Sequence, residues 1–100
     1  MNQILEDKTG VQRAKITVVE EKDNLVIGSI IQHSFTKEQI AVFEEYCEIV
    51  DNQIFSLLDK MEEQIESFGF KIKSEKREIF DVQVWNLQSI SFRFKKSIHS

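Results

Sequence analysis

The stretch from Thr36 to Gly69 constrains the fold of this chain most, because it carries a helical pattern and contains no internal Gly or Pro. Thr36 and Gln39 have the spacing of a capping box, in which each side chain bonds the backbone N–H of the other residue. Phe35 and Ile40 flank this cap in the arrangement of a hydrophobic staple. Gly69 is the residue type that most readily takes the left-handed conformation at a helix end. These signals predict one uninterrupted helix of about 32 residues.

Apolar residues recur along this stretch at spacings of three and four, as expected of a helix that lies on a core. They are Ile40, Phe43, Cys47, Val50, Ile54, Leu57, Leu58, Met61, Ile65 and Phe68. A second ridge of three apolar residues, Val42, Tyr46 and Ile49, lies beside this stripe in the N-terminal half only. The chain's own sheet cannot easily reach the second ridge, and an apolar patch of this kind marks an interface. We therefore expect a homodimer that pairs the second ridge with its own copy. The alternative is that strand residues, or the N-terminal arm through Ile4 and Leu5, cover the ridge within one chain.

The predicted helix is long for the size of the protein. At 1.5 Å per residue it would extend about 48 Å, whereas a domain of 100 residues is about 35 Å across. The helix is therefore expected to overhang, to bend, or to be covered by a second copy. Residues 1–100 are expected to form a single domain, in which 1–10 and 96–100 are frayed because neither end carries a strong pattern.

The residues before the helix have the alternation of strands. Apolar and polar residues alternate from Val11 to Val19, and a second strand is predicted from Leu25 to His33. The segment between them, Glu20–Asn24, is entirely polar and turn-prone. A hairpin is the expected structure.

The residues after the helix alternate as well, from Phe70 to Lys73, from Phe80 to Val84 and from Ile90 to Phe94. Residues 70–84 fit either a hairpin or one long bent strand, because their apolar positions are even-numbered throughout. The predicted fold class is α+β: an antiparallel sheet of four or five strands (ββαββ or ββαβββ) with one long helix packed across one face.

Charge is segregated along the chain. Residues 37–69 have a net charge of −7 and residues 70–100 a net charge of +4, so that an acidic helix is joined to a basic C-terminal third. The single cysteine excludes an internal disulfide and is compatible with a reducing compartment. The first residues have no secretory signal pattern, and no apolar run is long enough to span a membrane. We expect a cytoplasmic location.

No group of residues has the pattern of a catalytic, metal or cofactor site. Cys47 lies within the apolar stripe and has no basic neighbour to lower its pKa, so a buried core cysteine is predicted. His33 falls in the inward phase of the second strand and His99 in the C-terminal tail, without the spacing of a zinc site. We expect no enzyme activity, no metal and no cofactor.

Trp85 falls in the phase opposite to its apolar neighbours, together with six basic residues. The sheet face away from the helix is therefore predicted to carry a tryptophan among basic residues, namely Arg13, Lys15, Lys71, Lys73, Trp85, Arg93 and Lys95. A basic surface that contains a tryptophan is typical of nucleic-acid binding by stacking and charge. The negative net charge of the whole chain, −4, argues against that function.

Three functional hypotheses follow, in decreasing order of support. The first is a small non-enzymatic cytoplasmic protein that acts through a protein–protein surface, as a homodimer. The second is nucleic-acid binding through the basic face around Trp85. The third is an inhibitor or immunity-type protein whose acidic helix meets a basic partner.

Overall fold

The computed structural model describes residues 2–74 and 77–95. The described chain forms a closed barrel of six antiparallel strands, and two short helices lie between the third and fourth strands. The strands are β1 (Asn2–Glu6), β2 (Gln12–Lys22), β3 (Leu25–His33), β4 (Lys71–Ile72), β5 (Arg77–Trp85) and β6 (Ser89–Phe94). The helices are α1 (Lys37–Asp51) and α2 (Leu58–Ser67), joined through a 3₁₀ turn at Phe55–Leu57.

The predicted fold, an open sheet with one long acidic helix across it, is wrong. The strand order is β1-β2-β3-β6-β5-β4, and β4 pairs back onto β1 to close the barrel. The expectation that residues 1–10 are frayed is wrong for the same reason. Strand β1 is hydrogen-bonded on both sides, and Leu5 is fully buried. A five-residue strand is too short to show a clear pattern, but closure of the barrel removes both sheet edges and stabilises it. Residues 96–100 lie outside the described part of the chain.

The predicted first hairpin is confirmed, because β2 and β3 pair around a turn at Asp23 and Asn24. Residues 70–84 were predicted to form either a hairpin or one long bent strand, and the structure shows two paired strands. Lys71 of β4 pairs with Glu78 of β5 in an antiparallel register. The predicted last strand is present as β6, paired with both β3 and β5.

The long helix is interrupted at Asn52, where α1 ends. Gln53 takes a left-handed conformation with a φ of 56°. The amide of Ile54 donates to the carbonyl oxygen of Ile49 (3.0 Å), and the amide of Gln53 donates to that of Val50 (3.1 Å). This pair of bonds is the Schellman arrangement that ends many helices, usually with Gly at the left-handed position. A helix of about 48 Å would exceed the longest dimension of the protein, 37 Å, and the chain bends instead.

The break changes which residues face the core. Val42, Tyr46 and Ile49 are buried, so the prediction that they form an exposed ridge is wrong. Ile54, predicted to lie at the centre of the buried stripe, is 44% exposed because it belongs to the turn after α1. A single rotation does not apply to the whole stretch, because it forms two separate helices that each contact β5.

Both predicted ends of the helical stretch are confirmed. The backbone N–H of Gln39 donates to Thr36 Oγ1, and the backbone N–H of Thr36 donates to Gln39 Oε1, each at 3.0 Å. Gly69 has a φ of 62° directly after the last turn of α2, and its amide bonds the carbonyl oxygen of Glu66. The aromatic rings of Phe35 and Phe43 pack edge to face nearby, at a centroid distance of 5.1 Å.

Candidate functional site

A bulge in β5 creates the outer surface on which the candidate site is built. Phe80 of β5 pairs with Arg93 of β6, and Gln83 pairs with Ser91. The two β5 residues between these pairs, Asp81 and Val82, therefore lie opposite a single residue of β6. Asp81 has a φ of 56°, a conformation that residues other than Gly adopt rarely. A β-bulge of this kind inserts one residue and shifts the alternation of the strand by one position.

The bulge turns Phe80 outward. Ile79 and Val82 are buried, whereas Phe80, which lies between them in the sequence, is 36% exposed. The sequence predicts Phe80 in the same inward phase as Val82 and Val84, and that prediction is wrong because the inserted residue changes the phase. An aromatic ring is therefore left on the outside of the barrel, beside α2.

A cleft of about 730 Å³ lies between α2 and the bulged part of β5. Its apolar surface comes from one residue of each helix and two residues of the strand, namely Tyr46, Ile65, Phe80 and Val82. Its acidic residues are four on α2 and one at the bulge, namely Asp59, Glu62, Glu63, Glu66 and Asp81. Ser67 and Gln83 complete the lining. Among the described residues, no Lys or Arg lines this acidic cleft.

The electrostatics of the acidic cleft disfavour the ionised form of Glu62. Partial burial raises the pKa of Glu62, and the negative charges of Asp81 and Asp59 raise it further. Two basic side chains balance part of this charge from the rim. Arg93 Nε lies 3.6 Å from Asp81 Oδ2, and Lys95 Nζ lies 3.4 Å from an oxygen of Glu66. Five carboxylates therefore share a narrow space with two cations at its edge.

Tyr46 supplies an unusual polar group at the base of the acidic cleft. The residue is only 5% exposed, and its ring packs edge to face against Trp85 at a centroid distance of 5.9 Å. Its hydroxyl makes no hydrogen bond to any residue that the structure describes. Every fully buried side-chain N or O atom in the described chain has a hydrogen-bond partner. Because the Tyr46 hydroxyl has none, it is not fully buried and is accessible from the acidic cleft that Tyr46 lines. Burial, and then the charges of Glu62 and Asp81, raise the pKa of the phenol.

The predicted dimer ridge does not lie on the surface. Val42, Tyr46 and Ile49 are all part of the hydrophobic core of one chain. Of the three, Tyr46 lines the acidic cleft. A homodimer stays a prediction, but its contact would have to use other residues.

Trp85 lies on the helix side of the barrel, not on the face away from it. Its ring is half-buried against Tyr46 of α1. The prediction of a tryptophan on a basic face remote from the helices is wrong, because the sheet is closed and β5 is the strand on which the helices pack.

The barrel also disperses the basic residues predicted to share that face. Arg13 and Lys15 are on β2, Lys71 and Lys73 are on or just after β4, and Arg93 and Lys95 are on or just after β6. Strand β1 separates the first pair from the second, and β3 separates the first from the third. Arg13, Arg93 and Lys95 also form ion pairs with carboxylates. Nucleic-acid binding stays a prediction.

Cys47 is half-buried at the edge of the core, where it lines a second hollow between α1 and the β5–β6 turn. Its Sγ donates to the carbonyl oxygen of Val84 at 3.3 Å. Burial raises the pKa of the thiol, and the charges of Asp51 and Glu44 add to this, although a backbone bond from Asn86 opposes it. A thiol with a raised pKa is a weak nucleophile at neutral pH.

The histidines do not form a site within the described chain. His33 is exposed and its ring stacks on Phe35 at 5.3 Å, so the prediction that it points inward is wrong. His99 lies outside the described residues. Among residues 2–74 and 77–95, no three His, Cys, Asp or Glu side chains are grouped so that they could hold a metal ion.

The acidic cleft is the site that sequence reasoning missed. The spacing of Asp59, Glu62, Glu63 and Glu66 puts these acids on one side of a helix, but the pattern alone is that of a solvated face. Their opposite wall depends on the bulge at Asp81, for which the sequence has no signal. In the described chain, neither helix has the length and apolar character needed to cross a membrane. A scan against protein-family models and searches of curated proteins and of solved structures find no match.

Proposed function

We propose that this protein is a non-enzymatic binding module that holds a basic segment of another protein in the acidic cleft. The observation that carries the proposal is the lining of the acidic cleft, in which five carboxylates surround apolar surface and no Lys or Arg is present among the described lining residues.

Charge complementarity supports a cationic ligand. Burial raises the pKa of Glu62, and the negative charges of Asp81 and Asp59 raise it further, so these two carboxylates repel that of Glu62. A cation placed between them would relieve that repulsion and neutralise charge that the protein has concentrated at one place. Complementary potentials of this kind give a complex its specificity and its rate of association.

The surroundings of the acidic cleft support a protein segment over a free small amine. Ile54, Phe55 and Leu57 are exposed, Phe55 by 59%, and they directly precede the first turn of α2. Asp59 of the cleft is one helical turn beyond Phe55. Exposed apolar residues grouped in this way mark interaction surfaces. A partner with a basic residue near an apolar one can use both features.

This proposal follows the third functional hypothesis, in which acidic helix residues meet a basic partner, and narrows it to α2. It retains the expectation of a protein–protein surface. A cytoplasmic location and the absence of enzyme activity stay predictions.

Selection from a random library of displayed 12-residue peptides tests the proposal. We expect enriched peptides to contain Arg or Lys together with an apolar residue. Binding of these peptides is expected to fall at least tenfold for the double variant Glu62→Gln/Glu63→Gln. The matched control is Glu20→Gln/Glu21→Gln on β2, which removes the same charge from a different part of the barrel and is expected to change affinity less than threefold.

Three results would each overturn the proposal. One is a selection that enriches no peptide at all. Another is an enriched set without basic residues. The third is an equal loss of affinity in the two double variants, which would mean that the peptides respond to the overall charge of the protein and not to the acidic cleft.

A further inference from the structure

We infer that the acidic cleft is an arginine site: it accepts the guanidinium of an arginine side chain in preference to the ammonium of a lysine. This inference rests on the proposed function and specifies the chemical group that the cleft recognises. It follows from the different elements that carry the acceptors, from the aromatic residues of the lining, and from an ion pair already formed by one of the carboxylates.

The acceptors lie on different sides of the acidic cleft. Glu62 belongs to α2, Asp81 belongs to the bulge of β5, and the Tyr46 hydroxyl comes from α1 at the base. A guanidinium presents five N–H donors spread around a plane, whereas an ammonium presents three donors at one point. A planar group with spread donors can therefore reach acceptors on opposite walls together, which a point charge at one wall cannot do.

The rest of the lining suits an arginine as well. The rings of Tyr46 and Phe80 line the cleft, and a guanidinium stacks on aromatic faces and is less strongly hydrated than an ammonium. Ile65 and Val82 provide apolar surface for the aliphatic part of the side chain. The bulge is what places Phe80 and Asp81 together on this surface.

One carboxylate of the acidic cleft already pairs with a guanidinium. Arg93 Nε lies 3.6 Å from Asp81 Oδ2, which is within ion-pair distance but longer than a good hydrogen bond. No described residue donates a hydrogen bond to Asp81. Asp81 can therefore accept a shorter, bidentate contact from an incoming arginine without losing a strong one.

Titration of ¹⁵N-labelled protein with three small probes tests the inference. The probes are the N-acetyl amides of arginine, lysine and citrulline, the last being an uncharged near-isostere of arginine. Amide shifts of Phe80, Asp81 and Val82 report occupation of the cleft. We expect the arginine probe to bind at least fivefold more tightly than the lysine probe, and the citrulline probe to bind at least fivefold more weakly than the lysine probe.

The variant Tyr46→Phe examines the role of the hydroxyl, since it keeps the ring and its packing on Trp85. We expect the preference for the arginine probe over the lysine probe to fall below twofold in this variant, with the thermal unfolding midpoint unchanged or higher. An unaltered preference would overturn the assignment of the hydroxyl as an acceptor for arginine.

The failures of the inference and of the proposed function can be told apart. Equal affinity for the arginine and lysine probes overturns the arginine preference and leaves cation binding in place. If no probe shifts the amide signals but peptide binding still depends on Glu62 and Glu63, the cleft does not bind a single arginine side chain. That result overturns the inference and leaves the proposed function in place. Equal binding of citrulline and arginine overturns both, because charge would then play no part.

Discussion

The Asp7 carboxylate accepts a hydrogen bond from Gln39 Nε2 at 3.1 Å, and this contact joins the loop after β1 to the first turn of α1. The same oxygen accepts a bond from Arg13 Nε of β2 at 2.7 Å. Gln39 also accepts a bond from the backbone of Thr36 through its side-chain oxygen. One buried acid therefore fixes the start of the helical segment against two strands of the barrel.

These bonds determine the ionisation of Asp7. Burial by itself raises the pKa of this carboxyl, but hydrogen bonds from Thr9, Arg13 and Gln39 outweigh burial and hold the pKa well below its ordinary value of 3.8. The ionised form is therefore the one that stabilises the folded protein. This contribution is complete above the unfolded pKa, and it is lost as the pH falls toward the folded pKa.

The first prediction is that Asp7→Asn destabilises the protein by about 3 kcal/mol at pH 7, because it leaves Arg13 without its buried charge partner. Chemical denaturation measures the loss. The control, Asp23→Asn, changes an exposed acid in a left-handed turn that Asn also tolerates, and it is expected to shift stability by less than about 0.5 kcal/mol. The gap between wild type and Asp7→Asn should narrow below pH 4. A gap that stays constant down to pH 2 would contradict the role given to the ionised carboxylate.

The second prediction concerns the rotation of α1. Ile49 is buried in the core, whereas Ile54 is 44% exposed. Ile49→Ala is expected to destabilise the protein by about 2–5 kcal/mol, as loss of a buried aliphatic side chain does. Ile54→Ala is expected to change stability by less than about 1 kcal/mol, because little buried surface is removed. Urea denaturation of the two variants compares them directly, and a larger loss for Ile54→Ala would restore the single-helix arrangement.

The third prediction distinguishes two helices from one. Gln53 has a φ of 56°, and a residue with a side chain is strained in this conformation. Gln53→Gly is therefore expected to stabilise the protein by about 0.5–1 kcal/mol, because Gly adopts the left-handed conformation freely. The control is Gln64→Gly within α2, which is expected to destabilise by about 1 kcal/mol. Thermal unfolding gives the sign of each change, and a loss of stability with Gln53→Gly would indicate a continuous helix.

The fourth prediction separates binding from stability in the acidic cleft. The pKa of Glu62 is raised in the folded protein by burial and by the charges of Asp81 and Asp59. An acid with a raised folded pKa favours folding while protonated, and this advantage is lost as the pH rises through the folded pKa. Glu62→Gln is therefore expected to raise the unfolding midpoint at pH 7 and to lose that advantage below pH 4.5, the ordinary pKa.

Glu44→Gln on α1 is the comparison for this experiment, since it removes one exposed acid that does not line the acidic cleft. Its unfolding midpoint is expected to change less than that of Glu62→Gln at pH 7. A lower midpoint for Glu62→Gln would mean that the carboxylate stabilises the fold, and that burial and the charges of Asp81 and Asp59 do not disfavour it. A residue that weakens the fold and strengthens binding is typical of a functional site.

Local chemistry was predictable from the sequence. Thr36 and Gln39 form their capping box, and Gly69 ends α2, because each of these structures depends on residues within four positions of one another. The β2–β3 hairpin was predictable for the same reason, since its turn and its alternation are contiguous. The acidic character of α2 was also evident, because charge is a property of composition.

Tertiary structure decided what lies far apart in the chain. Closure of the barrel by β1 and β4 joins residues about 70 positions apart, and no local pattern in a five-residue and a two-residue strand indicates it. The stop at Gln53 and the bulge at Asp81 each place a residue with a side chain in a left-handed conformation, where sequence patterns lead one to expect Gly. The hydrogen bonds that end α1 hold Gln53 in this conformation, and the pairing of β5 with β6 on both sides of the bulge holds Asp81. The acidic cleft exists because α2 and the bulged strand then face each other, and that juxtaposition is a property of the folded chain alone.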